Sequence, residues 1–399
     1  MADYPTDIEF VDSGCEKVIV LLNKNSGERA AADFVKKQLE KMLTEELVFD
    51  LFPVKGKGPV IEEAKEFIVK QKPDLIIVGG GDGTVSLALD ITDALRKDGK
   101  IGSLECPVAI LPMGTGNDLS RSLGFGGGYA KAAIDPEKKF KTLIGKLKNA
   151  IPCHVDRFKV DVYKVGPAGS AGFPTDGRGE GDMDNADKPV YSHNFINYFS
   201  VGFDADVAEK FGDFRNQNPK ACSNRTMNKM WYGAFGCKAM VSSSSFPKKR
   251  VQLTVDGKEV KIPSGAKSVI VLNVLTFSGG VKLWSDSKEA FGPQLLDDKK
   301  AEVLSLNGVW HMIGAGTKTR TATKVSQGTT IELRLPADYT MQYDGEPLNA
   351  VGEHEEDILI KIQHVSQSLA SRLPDGVVQI SSKPIPLCAE ECSPNYEQL

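Results

Sequence analysis

The chain has 399 residues, of which 41% are hydrophobic, enough for two or three domains with well-formed cores. Its 49 Lys and Arg residues against 53 Asp and Glu residues give a net charge of −4, which argues against a nucleic-acid binder with a basic face. The 7 cysteines form neither a CxxC pair nor a zinc-finger spacing, so we expect reduced thiols. No apolar run is long enough to span a membrane, and MADYPTDIEF lacks a signal-peptide pattern, so we expect a cytoplasmic protein.

The first part of the chain alternates between short apolar runs and segments with helical spacing. Four runs are predicted to be strands: VIVLLN (18–23), LVFDLF (47–52), DLIIV (74–78) and PVAIL (107–111). The segments between them predict three helices: ERAAADFVKKQLEKML, PVIEEAKEFIVK beginning at Pro59, and TVSLALDITDALRK. Continuously apolar strands that alternate with helices indicate a doubly wound parallel sheet, so residues 16–150 are predicted to form an α/β domain.

From residue 151 to residue 382 the sequence predicts a second, mainly antiparallel β-sandwich-like domain. Seven segments read as strands with few helices between them: HVDRFKVDVY, VYSHNFINYFSV, VQLTV, KEVKI, SVIVLNVL, TIELRL and DILIKI. Asp256-Gly257 predicts a hairpin turn between VQLTV and KEVKI. We also expect one helical stretch near 206–241, a mobile Gly-, Pro- and Asp-rich loop at 166–187, and a disordered tail over 383–399.

The glycine-rich run GGGDGT (79–84) follows an apolar strand and opens a helix. It could be a simple tight turn, but it lies at the carboxyl edge of the predicted sheet, where open α/β folds bind ligands. Glycines at positions such as Gly80, Gly81 and Gly83 allow a phosphate to approach the backbone closely. We expect the amides of Gly83, Thr84 and Val85 to point outward as donors.

Asp82 is an unusual residue for a phosphate-binding loop, because a carboxylate repels a phosphate. It becomes favourable when a Mg²⁺ ion bridges the two groups, or when the carboxylate accepts a proton from an attacking hydroxyl. The run lacks the third glycine of G-x-G-x-x-G, and no Gly-Lys pair in the chain is followed by Ser or Thr as in a P-loop. Asp82 therefore indicates phosphoryl transfer at a different kind of phosphate loop.

Two further polar turns are predicted at the same edge of the sheet. PVAILPMGTGNDLSRSLGFGGGY (107–129) again reads as strand, glycine turn and short helix, the helix beginning at Asn117 or Asp118. Its Asn and Asp could simply be helix caps. The turn NKNSGE (23–28) follows the first strand. Three such turns on one edge favour a composite nucleotide site.

Several segments resemble the catalytic and accessory regions of eukaryotic diacylglycerol kinases, in the same order and from about Val18 to about His364. GGGDGT is shared with a wider group of lipid and nicotinamide dinucleotide kinases, whereas the longer segments are more specific. The matching segments are GGGDGT, LPMGTGNDLSRSLGFGGGY, VDRFKV, NYFSVGFDADVAEKF, NKMWYGAF, SGGVKLW and MQYDGEP.

The resemblance implies that ATP binds in a cleft between the α/β domain and the β domain, and that the C-terminal segment can return to the first domain. The residues that it places at the nucleotide are Asn23, Ser26, Gly27, Gly80, Gly81, Gly83, Thr84, Thr115, Asn117 and Asp118. We expect Mg²⁺ at Asp82 and Asp118. In MQYDGEP, which alone would read as a turn, Asp344 and Glu346 match an acidic pair that includes a proposed proton acceptor, with Asp82 as the competing candidate.

The expected reaction is transfer of the ATP γ-phosphoryl group to the hydroxyl of diacylglycerol, with transient peripheral membrane contact. The first turn differs from the usual N-P-K-S-G of the family because Lys24 stands one place early, which leaves its phosphate contact open. We expect no lipid-sensing zinc fingers before the catalytic segments, none of the 5 histidines has catalytic spacing, and the oligomeric state is left open. A kinase for a sphingoid base, ceramide or another lipid, and a catalytically silent lipid- or nucleotide-binding adaptor, remain alternatives.

Overall fold

Two compact units make up the structure, a computed structural model: Met1–Val155 with Ser368–Leu399, and Asp156–Gln367. The structure describes residues 17–27, 29–54, 57–128, 142, 144–147, 150–167, 188–218, 221, 245–246, 250–284, 291–307, 322–349, 351–352 and 356–373. The predicted loop at 166–187, the segment WYGAF (231–235) and the tail at 383–399 lie almost wholly outside these residues.

The first unit is built on a parallel sheet, as predicted. Its strands are β1 (Val18–Leu22), β2 (Val48–Asp50), β3 (Leu75–Gly80) and β4 (Val108–Pro112), in the order β2-β1-β3-β4. Every residue of β1, β3 and β4 is buried, because both faces of the sheet are covered. The β3 strand includes Gly79 and Gly80, which were predicted to belong to the turn.

Helices connect these strands. They are α1 (Arg29–Met42), α2 (Ile61–Gln71), α3 (Asp82–Lys97) and α4 (Asp118–Ser122), with a 3-10 turn at Glu45–Leu47. The prediction that α2 begins at Pro59 was wrong, because Val60 is the N-cap residue and Ile61 is the first helical residue. Helix α3 begins at Asp82, two residues before the predicted start, so Asp82 and Gly83 form its first turn.

The second unit is mainly antiparallel, as predicted. One sheet has six strands in the order β12-β11-β10-β7-β14-β15. A second ladder joins β16, β13, β8 and β9, and β5 pairs with β6. The strands are β5 (Ile151–Pro167), β6 (Tyr191–Phe195), β7 (Tyr198–Gly202), β8 (Gln252–Val255), β9 (Lys258–Val260), β10 (Ser268–Leu272), β11 (Ala301–Leu306), β12 (Thr323–Gly328), β13 (Thr330–Pro336), β14 (Met341–Tyr343), β15 (Glu346–Leu348) and β16 (Glu356–Arg372).

Side chains from both sets of strands form one hydrophobic cluster in the second unit. Phe158 on β5, Val201 on β7, Val303 on β11 and Ile360 on β16 are among its fully buried members. The segment VYSHNFINYFSV, predicted as one strand, is two strands that a bend at Ile196-Asn197 separates.

The described part of the predicted helical stretch is α5 (Phe203–Gln217). Strand β16 continues past Gln367 into the first unit, where Ala370 pairs with Val108 of β4 in parallel. Within the described part of the chain, no helix is both long enough and apolar enough to cross a membrane.

Candidate active site

The first unit brings three turns together at the carboxyl edge of its sheet. Strand register sets Leu22 beside Gly79 and Gly79 beside Leu111, so the turns that follow β1, β3 and β4 begin at one level. Backbone bonds fasten the turns to the strands: the amide of Asn23 donates to Gly79 at 2.8 Å, and the amide of Met113 donates to Gly80 at 2.8 Å. The predicted gathering of the turns is therefore present.

Several glycines are required because the turns approach one another closely. A Cβ at Gly81 would lie 3.1 Å from the Cα of Gly114, and a Cβ at Gly114 would lie 2.5 Å from the Cα of Gly81. Gly27 has a φ of +73°, and a Cβ there would lie 2.1 Å from the carbonyl oxygen of Met113. A Cβ at Gly80 would lie 2.5 Å from the side chain of Thr84. These four glycines are thus explained by packing within the protein.

Gly83 differs from these glycines. Apart from its chain neighbours and its own helix's backbone, no described atom lies within 4 Å of where its Cβ would stand, and the residue is exposed. It lies in the first turn of α3, where a helix presents backbone amides and the positive end of its dipole. Among the described residues, packing gives no reason for a glycine here.

The outward amides predicted for Thr84 and Val85 are not available. Both donate to the carbonyl of Gly81, at 3.0 Å and 3.1 Å, because the helix closes its first turn there. The side chain of Thr84 is buried, and its hydroxyl accepts a hydrogen bond from Nδ2 of Asn23 at 2.9 Å. Thr84 and Asn23 therefore join two of the turns to each other.

Asp82 connects the start of α3 to the start of α4. Its Oδ2 accepts the amide of Asp118 at 3.2 Å, and its Oδ1 accepts the amide of Leu119 at 3.3 Å. A helix start needs such acceptors, and Asn117 at the N-cap position makes no side-chain cap bond. Asp82 thus supplies from another helix the acceptor that the cap residue does not supply.

Asn117 braces the turn between β4 and α4. It is buried with a φ of +54°, and its Nδ2 donates to the carbonyls of Gly114 at 2.7 Å and Gly127 at 3.0 Å. Nε of Arg121 donates to the carbonyl of Gly116 at 3.1 Å. The amide group of Asn117, which we expected at the nucleotide, is engaged inside this loop.

Two carboxylates flank the backbone of Gly116. A Cβ there would lie 3.1 Å from Oδ2 of Asp82 and 3.4 Å from Oδ2 of Asp118. Among the described residues, no three His, Cys, Asp or Glu side chains converge as a metal site. Mg²⁺ commonly takes one or two carboxylates together with phosphate oxygens and water, so this pair fits the ion once a nucleotide supplies the other ligands.

The other predicted residues of these turns, Ser26 and Thr115, and the neighbouring Lys24 have different surroundings. Ser26 is half-buried, and its Oγ would be 3.5 Å from a Cβ at Gly81, whereas Thr115 is exposed. Nζ of Lys24 bonds to Oδ2 of Asp50 at 2.8 Å and to the carbonyl of Pro53 at 3.0 Å. Lys24 is therefore paired at the end of β2.

In the second unit, Asp344 lies in the turn of the β14–β15 hairpin, and Glu346 is the first residue of β15. Asp344 and Gly345 have φ values of +49° and +87°, as a two-residue hairpin turn requires. The carboxylate of Asp344 accepts three amides: Oδ2 that of Ile196 at 3.1 Å, and Oδ1 those of Asn197 at 2.7 Å and Tyr198 at 3.1 Å.

These bonds define different environments for the two carboxylates. Burial raises the pKa of the Asp344 carboxyl, and the three amide bonds and the charge of Arg157 offset part of that rise. Asp344 thus holds the bend between β6 and β7. Glu346 is exposed on β15. His193 lies on β6, and its ring stacks on that of Tyr343 on β14. The sequence assigned it no role; the alternating burial of β6 was the pattern that could have indicated that its side chain shares a face with Tyr191.

The fold is an α/β unit with three glycine-containing turns at one edge of its parallel sheet, followed in the chain by an antiparallel β unit. The family model described as the diacylglycerol kinase catalytic domain matches residues 17–150, and the model described as the diacylglycerol kinase accessory domain matches residues 194–347. The chain belongs to the diacylglycerol kinase family, as the sequence motifs predicted.

Named relatives agree with this assignment. Diacylglycerol kinase 1 of Arabidopsis thaliana is 31% identical over 374 residues, which cover 92% of this chain and 45% of that protein. Diacylglycerol kinase theta of Homo sapiens is 31% identical over 337 residues, which cover 83% of this chain and 32% of that protein. Diacylglycerol kinase 3 of Arabidopsis thaliana is 28% identical, and the match covers 87% of this chain and 79% of that protein. The chain thus spans less than half the length of the first two.

Proposed function

We propose that the protein is an ATP-dependent diacylglycerol kinase that produces phosphatidic acid and ADP. The observation that carries the proposal is the convergence of three turns at one sheet edge, with the exposed Gly83 at the start of α3 and Asp82 beside it. The catalytic and accessory domain matches and the names of the relatives support the same chemistry. Residues 16–150 would form its catalytic domain and residues 151–382 its accessory domain, with the end returning to the first domain and a tail over 383–399.

The nucleotide triphosphate would bind at the start of α3. Its phosphate oxygens would lie against the backbone at Gly83, where a helix start favours negative charge. Ser26 and Thr115 would contribute hydroxyl groups from the two neighbouring turns. Gly27, Gly80 and Gly81 would act indirectly, because their lack of side chains lets the turns pack closely.

Asp82 and Asp118 would hold Mg²⁺, which neutralises charge on the phosphates when it is bound. Asp82 also caps α4, so the carboxylate that would face the phosphates also fixes the position of the neighbouring turn. Asn117 would serve by bracing that turn. Such fixed geometry suits phosphoryl transfer, in which the protein positions groups and balances charge.

Glu346 would be the proton acceptor, in preference to Asp344. Both oxygens of Asp344 already accept backbone amides, whereas Glu346 is exposed. The acceptor hydroxyl would give its proton to Glu346 while its oxygen bonds to the γ-phosphorus. The bond from that phosphorus to the bridging oxygen of ADP would break in the same transfer.

The acceptor is a membrane lipid, so the protein would work from the cytoplasm by transient peripheral contact with a bilayer. A phosphorylation assay tests the function: labelled ATP, Mg²⁺ and mixed micelles that contain diacylglycerol, a sphingoid base or ceramide in parallel. We expect labelled phosphatidic acid from diacylglycerol at the highest kcat/KM. Transfer only to a sphingoid base or only to ceramide would show that diacylglycerol is not the substrate. Binding of MgATP without transfer to any lipid would favour a catalytically silent adaptor.

A further inference from the structure

Tyr343 lies directly across the hairpin from Glu346. The two residues are register partners on β14 and β15. Opposite residues of an antiparallel pair project from the same face with Cβ atoms about 5 Å apart. Burial raises the pKa of the Tyr343 hydroxyl, and the nearby negative charges of Glu346 and Asp344 raise it further. The Tyr343 side chain is thus an immediate neighbour of the proposed proton acceptor.

An imidazole ring covers the other side of Tyr343. The rings of His193 and Tyr343 are stacked, with centroids 4.7 Å apart and planes 15° from parallel. Tyr191 continues the row, with its centroid 6.2 Å from that of His193. We call Tyr191, His193 and Tyr343 the aromatic strip. All three residues are only partly buried, so the strip presents surface to solvent.

His193 has polar atoms to offer at this strip. Stacking uses the face of the imidazole and leaves both ring nitrogens at its edge. Among the described residues, none makes a hydrogen bond to either nitrogen of His193. A donor or acceptor on a flat, half-exposed aromatic surface, next to a carboxylate, suits a ligand that joins apolar chains to polar oxygens.

We propose that the aromatic strip binds the ester-bearing glycerol backbone of the acceptor lipid. The N–H of His193 donates to an ester carbonyl, and the exposed edges of the three rings contact the first methylenes of the acyl chain. His193 is then a specificity-determining residue for ester lipids, and Tyr343 positions Glu346 beside the acceptor hydroxyl. This inference rests on the proposed function.

The test compares two acceptors and two forms of the enzyme. Dialkylglycerol has ether links in place of both esters and lacks the carbonyl oxygens. We expect wild type to favour diacylglycerol over dialkylglycerol by about tenfold in kcat/KM, the value of roughly one hydrogen bond. His193→Phe keeps a stacked ring but removes the donor, so the ratio should fall to about threefold or less, with KM for ATP unchanged.

A matched control is Tyr339→Phe. Tyr339 is a half-buried tyrosine in the same unit, and its ring centroid lies 4.9 Å from that of Phe246. That variant should keep the wild-type ratio. An unchanged ratio in His193→Phe, or an equal loss of activity toward both lipids, would overturn the inference. Thermal unfolding of each variant identifies a general loss of folding. If His193→Phe fails to fold, His193→Gln is the second variant: its side chain can still donate a hydrogen bond, so it should keep the wild-type ratio of diacylglycerol to dialkylglycerol activity.

Photolabelling separates this inference from the proposed function. The probe is a diacylglycerol with a diazirine close to one ester, in mixed micelles, with unlabelled diacylglycerol as competitor. Competed labelling on peptides that contain residues 191–195 or 341–348 supports the strip even if wild type transfers no phosphate, which would refute the kinase function alone. Labelling confined to other peptides would contradict the strip even in an active kinase.

Discussion

The carboxylate of Asp82 accepts the backbone amide of Asp118 across 36 residues of sequence, at 3.2 Å. One side chain therefore sits at the first turn of α3 and caps the first turn of α4. A change to Asp82 can act through the charge at the proposed phosphate site or through the position of the next turn. The two effects can be separated by choosing the replacement.

Asp82→Asn removes the charge and keeps one of the two oxygens that accept amides at the start of α4. We expect turnover to fall by about 100-fold, with the free energy of unfolding within about 1 kcal/mol of wild type. Asp82→Ala also removes the cap and should lower the unfolding free energy by about 1–2 kcal/mol. Kinase assays and urea unfolding measure the two effects, with Asp98→Asn at the exposed end of α3 as control. If Asp82→Asn kept turnover close to that of wild type, the charge of Asp82 would have no role in catalysis, and the residue would serve only to cap α4.

Asp344 and Glu346 should separate stability from catalysis. Asp344→Ala leaves the amides of residues 196–198 without their acceptor, so the unfolding free energy should fall by about 3 kcal/mol or more. Glu346→Gln changes an exposed side chain and should leave stability within about 0.5 kcal/mol. Its turnover should nevertheless fall by at least ~100-fold. An active Glu346→Gln enzyme would remove Glu346 as the proton acceptor.

Lys24 should matter little to ATP binding, because Asp50 and the carbonyl of Pro53 already engage its ammonium. Lys24→Met, Asp50→Asn and the double variant should each change KM for ATP by less than about threefold, as is usual for a half-exposed ion pair. Steady-state kinetics over a range of ATP concentrations give this value. A large rise in KM in Lys24→Met, but not in Asp50→Asn, would mean that Lys24 contacts phosphate.

Glu302 should make stability depend on pH. Burial raises the pKa of its carboxyl from 4.5 to about 8, and hydrogen bonds from Gln327 and Gln294 only partly offset this. Because the folded state holds the proton more tightly, the stabilisation is complete below about pH 4.5 and is lost as pH rises through about 8.

Urea unfolding at several pH values tests this dependence. The unfolding free energy of wild type should fall from pH 5 to pH 8, and Glu302→Gln should flatten the curve and be the more stable protein at about pH 8. Glu259→Gln, at an exposed carboxyl on β9, is the matched control and should follow wild type. Parallel curves for wild type and Glu302→Gln would contradict the assignment.

Local patterns were sufficient for most of the fold. Apolar runs predicted β1, β3 and β4, and the Asp256-Gly257 pair predicted its hairpin, because those signals lie within a few residues of one another. Strand β12 was missed because TKVSQG is largely polar and only partly buried, and β11 because AEVLSL does not alternate clearly. Gly79 and Gly80 were assigned to a turn, although pairing with β4 extends the strand through them.

The site was predictable as a set of turns but not as a set of contacts. Sequence order was enough to bring Asn23, Gly81 and Gly114 to one edge, because parallel strands end together. The partners of the carboxylates could not be predicted, since Asp344 bonds to an amide 147 positions away in the sequence. The same limit applies to Thr84, whose amide bonds to Gly81 and whose hydroxyl bonds to Asn23.

The most direct measurement is calorimetric titration of MgATP into wild type and into Gly83→Ala. A methyl group at Gly83 meets no described atom outside its neighbours and its own helix, and alanine favours a helix by about 0.5–1 kcal/mol, so folding should not suffer. Gly212→Ala, at an equally open glycine within α5, is the matched control. We expect the Kd for MgATP to be at least ~10-fold higher in Gly83→Ala and unchanged in Gly212→Ala. An unchanged Kd in a folded Gly83→Ala protein would contradict the proposal that phosphate binds at the start of α3.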